Sequence, residues 1–125
     1  MADPVSRYQV LPLPIVQKWA KHALSREQLR AGVNLARRLR LYPHVEDLSI
    51  GPCGHGMELR IEHPRIGKQG WLRAAFYIDE KSKTIYIVDL FWKKENAIRR
   101  ADMIRINSRI RGLRAALARG EKPWA

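Results

Sequence analysis

One cysteine, Cys53, stands in a chain of 125 residues, so no disulfide can form within it and the fold must hold by packing alone. That usage suits a reducing compartment. No apolar run approaches the ~20 residues that span a bilayer, and the first seven residues, with Asp3, Pro4 and Arg7, have no secretory apolar core. These absences predict a soluble, cytoplasmic protein with no membrane partner. Also missing are a glycine-rich phosphate loop and a Gly-x-Ser-x-Gly elbow, which removes the commonest nucleotide-hydrolysis and acyl-transfer signatures. Cys53-Gly54-His55 lacks the paired spacing of a structural zinc motif, and His44 and His63 add no second pair. Neither a metal nor a cofactor is expected.

Acidic residues are scarce as well, at 12 against 24 Lys and Arg, for a net charge of +12. A chain so basic favours a polyanionic partner, and nucleic acid before an anionic membrane surface. The excess is spread evenly: residues 1–55 hold eight basic and four acidic groups, 56–94 eight and five, and 95–125 eight and three. No basic tail can be cut away, so a folded surface carries the field. A hydrophobic content of 46% supports one core, and residues 1–125 are expected to form a single domain.

Hydrophobic spacing divides the chain into elements. Residues 8–14 read as a short strand that Pro12 and Pro14 confine to an edge. From Pro14 onward Ile15, Val16, Trp19, Ala20 and Ala23 recur at helical intervals. Ser25 then heads a Ser-x-x-Gln capping box with Gln28, opening a second helix over Leu29, Val33, Ala36 and Leu39, and leaving Arg30, Arg37, Arg38 and Arg40 outside. Two prolines and three glycines in residues 43–56 read as a connector. Met57–Glu62 alternates cleanly, with Glu58, Arg60 and Glu62 on its charged side.

Residues 71–78 and 85–92 are two β-branched and aromatic runs either side of the polar turn 79–83, which predicts an antiparallel hairpin. Leu72, Ala74, Phe76 and Ile78 would face the helices, with Trp71, Arg73, Ala75 and Tyr77 opposite them. Arg60 and Arg73 would then project from one open side of the sheet, joined by Asp89, Phe91 and Lys93. From Glu95 to about Arg119 helical spacing returns, with a seam of Met103, Ile106, Ile110, Leu113 and Leu117 that Gly112 would bend or end early. Arg99, Arg100, Arg105, Arg109, Arg111, Arg114 and Arg119 fill the other positions, either as a solvated face or as a track for a nucleic-acid backbone.

Three short elements on these strands resemble RelE/HigB-like toxins of type II toxin-antitoxin systems, the ParE/RelE superfamily with its Gp49-like members. Gly56-Met57-Glu58-Leu59-Arg60 is similar to that family's Gly-Leu-x-Glu-Leu-Arg element, Trp71-Leu72-Arg73-Ala74 to its aromatic-x-Arg strand, and Phe91-Trp92-Lys93-Lys94 to its Phe-x-Lys-Lys strand end. The resemblance implies an α+β fold: a small antiparallel sheet on an N-terminal helical hairpin, closed by a long C-terminal helix. It implies metal-independent cleavage of mRNA, with the ribosome and a cognate antitoxin as further partners. The products would carry 2′,3′-cyclic phosphate and 5′-hydroxyl ends.

Carried over by the motifs, Arg60 and Arg73 would hold the scissile phosphate, while Lys93 and Lys94 would bind the backbone or move protons. A lysine with a pKa near 10.4 is a poor base unless neighbouring cations depress it. Glu58 is a rival base, and an ion-pair partner of Arg60 or Arg73 on its plainer reading. Tyr77, Trp92 and Trp71 offer faces on which a base can stack, and Arg99 and Arg100 would contact RNA. The chain departs from many relatives by continuing as an arginine-rich helix where they place a Tyr or His. Two other functions compete: a non-catalytic nucleic-acid-binding module, and a ParE-like inhibitor of DNA gyrase that shares the fold without cutting RNA.

Overall fold

The computed structural model describes residues 8–42, 49–52, 65–69, 72–92 and 100–122. Five strands, β1 (Gln9–Pro12), β2 (Ser49–Pro52), β3 (Arg65–Gln69), β4 (Leu72–Asp79) and β5 (Thr84–Trp92), form one sheet in the order β1-β5-β4-β3-β2. All neighbours run antiparallel except β1, which lies parallel to β5. Three helices accompany the sheet: α1 (Pro14–Ala23), α2 (Arg26–Leu39) and α3 (Arg100–Ala118). This is the α+β arrangement expected from the sequence, with two more strands. Both additions lie in stretches with little strand character, and the alternating segment Met57–Glu62 falls outside the described residues.

Local chemistry explains the boundaries. Pro14 starts α1 at the position where a missing N–H costs nothing. Ser25 caps α2 through a reciprocal box, its Oγ accepting from the Gln28 N–H at 3.2 Å and its own N–H donating to Gln28 Oε1 at 2.9 Å. The hairpin between β4 and β5 turns through Lys83, whose φ of 52° lies in the left-handed region. Its ammonium reaches Glu80 at 2.8 Å and lies 5.4 Å from the Tyr8 ring centroid, which ties the turn to the start of β1.

The buried faces of the helices differ in detail from the expected stripes. In α1 only Val16 and Ala20 are buried, while Ile15 is 55% and Trp19 40% exposed. In α2 the inward residues are Leu35 and Leu39, and Val33 is exposed. Spacings of three and four fit several faces of one helix, and packing on the sheet selects among them. Gly112 does not end α3, which continues to Ala118.

Burial along β5 is continuous from Thr84 to Leu90. The core around it comprises Leu35, Leu39, Phe76, Ile85, Ile87, Met103, Ile106 and Ile110. Tyr8, Tyr42 and Phe76 add an edge-to-face chain with centroids 5.8 and 6.3 Å apart. Phe76 stands opposite Ile87 in register, on the side of α1 and α2, whereas Ala75 stands opposite Asp89, to which α3 is hydrogen-bonded. A register shift between Ala75 and Phe76 leaves Val88 as an extra residue on β5. Helices therefore cover both faces of the sheet at β5. The side expected to be open is occupied there by α3.

Candidate functional site

Asp89 is the only acid inside the apolar run of β5, and it is 6% exposed. A buried carboxylate is stable only if donors replace its water, and α3 supplies them. Arg105 donates to Asp89 Oδ2 from Nε at 3.1 Å and from one terminal nitrogen at 2.6 Å; that same terminal nitrogen also reaches Asp102 at 2.8 Å. Arg109 donates one terminal nitrogen to Asp89 Oδ1 at 3.0 Å and to the Val88 carbonyl at 2.9 Å. Burial opposes the charge on Arg105, but Asp89 and Asp102 more than offset it and hold its pKa above the ordinary guanidinium value.

Arg73 shares this face, because it lies two residues from Ala75, the partner of Asp89. Its side chain is buried, at 5% exposure, and that burial lowers its pKa. A guanidinium stays protonated at physiological pH even so. In register it stands between Lys68 on β3 and Phe91 on β5. Among the described residues the structure thus groups Arg73, Asp89, Arg105 and Arg109 on one face. Residue spacing alone placed Arg105 and Arg109 on a solvated or RNA-tracking surface; their ends instead reach the sheet.

The other expected site residues are distributed as follows. Tyr77 is half-buried on β4, opposite Tyr86 in register. Trp92 is the last residue of β5, paired with Leu72. Arg100 is exposed at the first turn of α3. Glu58, Arg60, Lys93, Lys94 and Arg99, together with Trp71, lie outside the described residues, as do Cys53, His44, His55 and His63. Among the described residues no cluster of His, Cys, Asp or Glu could hold a metal, and no helix is long and apolar enough to cross a membrane.

A cavity of about 320 Å³ adjoins the Asp89 network, lined by Val16 and Trp19 of α1, Asp89 and Leu90 of β5, and Arg105 and Arg109 of α3. It lies beyond the end of β1, whose last pairing is Pro12 with Ile87. Sequence reasoning missed this site because it treated Trp19 as core. The available signal was Asp89 itself, a lone carboxylate in a buried strand that required cations from elsewhere.

Neither a protein-family model nor a curated protein sequence matches this chain. Its fold is similar to a crystal structure of the archaeal RelE-RelB complex from Pyrococcus horikoshii OT3, with a TM-score of 0.54 and 21% identity over 71% of this chain and 98% of that one. At that identity the likeness establishes the fold, which is RelE-like.

Proposed function

We propose that this RelE-folded chain is the toxin of a type II toxin-antitoxin system, a metal-independent endoribonuclease acting on mRNA at the ribosome and held inactive by a cognate antitoxin. The observation that carries this reading is the coincidence of fold and motif: Arg73, the arginine of the aromatic-x-Arg element, stands on β4 of a RelE-like sheet as a buried, desolvated cation. The neighbour is itself a complex with RelB, which supports an antitoxin partner here. The +12 charge supports a polyanionic substrate.

In the proposed reaction the ribose 2′-oxygen attacks the adjacent phosphorus, the 5′-oxygen leaves with a proton, and a 2′,3′-cyclic phosphate remains. Arg60 and Arg73 stabilise the extra negative charge at phosphorus in the transition state. Lys93 or Lys94 carries protons or holds the strand, and Glu58 is the alternative base. Tyr77 and Trp92 stack bases, and Arg99 and Arg100 hold the backbone.

One observation favours a second reading, a module that binds RNA without cutting it. Arg73 at 5% exposure presents little surface to a phosphate. Expression of the chain alone and together with its neighbouring reading frame separates the toxin reading from both alternatives. Growth arrest with falling translation, relieved by the neighbour, supports the toxin; arrest with blocked supercoiling points to gyrase; unaffected growth contradicts all toxin readings.

A further inference from the structure

The Asp89 network accounts for only part of the two arginines that make it. Arg109 uses one terminal nitrogen for both of its bonds, so its Nε and other terminal nitrogen have no partner among the described residues. Arg105 uses Nε and one terminal nitrogen, which leaves the second terminal nitrogen without a partner among the described residues. Both side chains line the cavity beside β5 and retain solvent access, at 38% for Arg105 and 21% for Arg109. A tether between helix and sheet needs the bonds to Asp89, but it needs neither the spare donors nor the cavity.

Apart from Asp89, the rest of the lining is apolar. Val16, Leu90 and Trp19 supply it, and the indole stands at a position 40% open to solvent. An aromatic ring lining the same cavity as planar cations with donors to spare is a combination that suits one ligand chemistry, a nucleobase joined to a phosphate. The volume of about 320 Å³ sits at the small end of ligand cavities, room for one nucleotide rather than a stacked run. An acidic peptide side chain would satisfy the guanidinium nitrogens equally well but would leave the indole unused.

We propose that this cavity is a binding site for a single nucleoside phosphate, with the base against Trp19 and the phosphate on the unengaged nitrogens of Arg105 and Arg109. Asp89 acts here as a positioning residue, since its carboxylate fixes both guanidinium planes. The inference deepens the RNA reading above and rests on it for the source of the nucleotide, a strand rather than a free metabolite. It adds a subsite at the α1–α3 end of β5, built from residues outside the three motifs.

Calorimetric titration of the full chain tests it, using uridine 5′-monophosphate, a uridine hexanucleotide, inorganic phosphate and a glutamate-rich peptide as probes. Both uridine probes should bind, the hexanucleotide more tightly. Trp19→Ala should weaken them by about fivefold or more, the loss expected for one base–aromatic stack. Trp19→Phe should restore most of that loss, and inorganic phosphate should bind weakly and equally to all three proteins. Arg109→Lys, which keeps a cation beside Asp89, should weaken uridine monophosphate and phosphate alike. Equal nucleotide affinity in the wild type and Trp19→Ala, with melting temperatures unchanged, overturns the site, as does preference for the peptide. A mononucleotide bound as tightly as the hexanucleotide overturns the assignment to a strand. Absence of RNA cleavage by the wild type would count against the proposed function, while the titration would still decide the pocket.

Discussion

Asp89 of β5 and Arg109 of α3, twenty positions apart in sequence, are joined at 3.0 Å, and the same guanidinium nitrogen holds the Val88 carbonyl at the extra residue of the strand. Helix α3 is thus fastened to the buried stretch of β5 through a charge as well as through its apolar seam. Removing the carboxylate leaves Arg105 with Asp102 and Arg109 with the Val88 carbonyl as their remaining acceptors among the described residues. Asp89→Ala should destabilise the fold by about 3 kcal/mol, the low end for a broken buried pair because Arg105 is partly solvated. Asp89→Asn, which still accepts hydrogen bonds, should lose clearly less. Urea unfolding monitored by circular dichroism measures both, and equal stability of the Ala variant and the wild type would show that the network is dispensable.

Arg73 requires a more careful substitution than an exposed site residue would. Because its side chain is buried, Arg73→Ala should lower the melting temperature, by about 4 °C for each kcal/mol lost in a domain of this size, and any loss of activity would then be ambiguous. Arg73→Lys keeps charge and most of the volume but loses the planar donor fork. We expect that variant to melt within a few degrees of the wild type while losing most of the cleavage. Thermal melts run beside cleavage assays test the expectation, and full activity in Arg73→Lys would remove Arg73 from the reaction.

Gly112 occupies an interior turn of α3 without needing a glycine: its backbone is not in the left-handed region, and a methyl group added there would meet nothing within 4 Å. Gly112→Ala should therefore stabilise the protein by about 0.5–1 kcal/mol through helix propensity alone. Thermal unfolding reads the gain directly. A lower melting temperature would mean that the space beside Gly112 is filled in solution.

The contact between Tyr8 and Glu80 sets a pH window. The hydroxyl donates to the carboxylate at 2.8 Å. Glu80 is held below its ordinary pKa first by the hydrogen bond from Lys83 and then by Tyr8, so its contribution is present above about pH 4.5 and fades as pH falls through its lowered folded value. Tyr8 is pushed above its ordinary value first by its bond to Glu80, so its contribution is complete below about pH 10 and fades as pH rises through the raised folded value. Tyr8→Phe should lower the melting temperature at pH 7 and flatten its fall on the alkaline side. An identical pH profile in the variant would show that the bond contributes nothing to stability.

Much of the fold was legible in the sequence, and the exceptions have physical causes. The capping box at Ser25 and the hairpin about residues 79–83 were readable because each depends on local chemistry. Strands β2 and β3 were not: Ser49–Pro52 carries Gly and Pro, and Arg65–Gln69 has one isoleucine, so both owe their place to backbone pairing with a neighbour. Arg73 was legible as a motif residue, but its burial was not, since a strand's alternation separates two faces without saying how deeply either is covered. The pairing of Asp89 with Arg105 and Arg109 was hidden for the same reason. A seam spaced by threes and fours says that α3 packs, not upon which face of the sheet.

If the chain cuts RNA as proposed, the termini of the fragments record the chemistry. Wild-type protein and Arg73→Lys should be incubated with mRNA on translating ribosomes, and the fragments' termini mapped; a parallel incubation with free mRNA and a chelator tests the need for metal. The expected result is 2′,3′-cyclic phosphate and 5′-hydroxyl ends from the wild type, with any cutting of free mRNA unchanged by the chelator, and few or no such ends from the variant at equal stability. Ends bearing 5′-phosphate, cutting that stops when metal is removed, or equal cleavage by Arg73→Lys would contradict it.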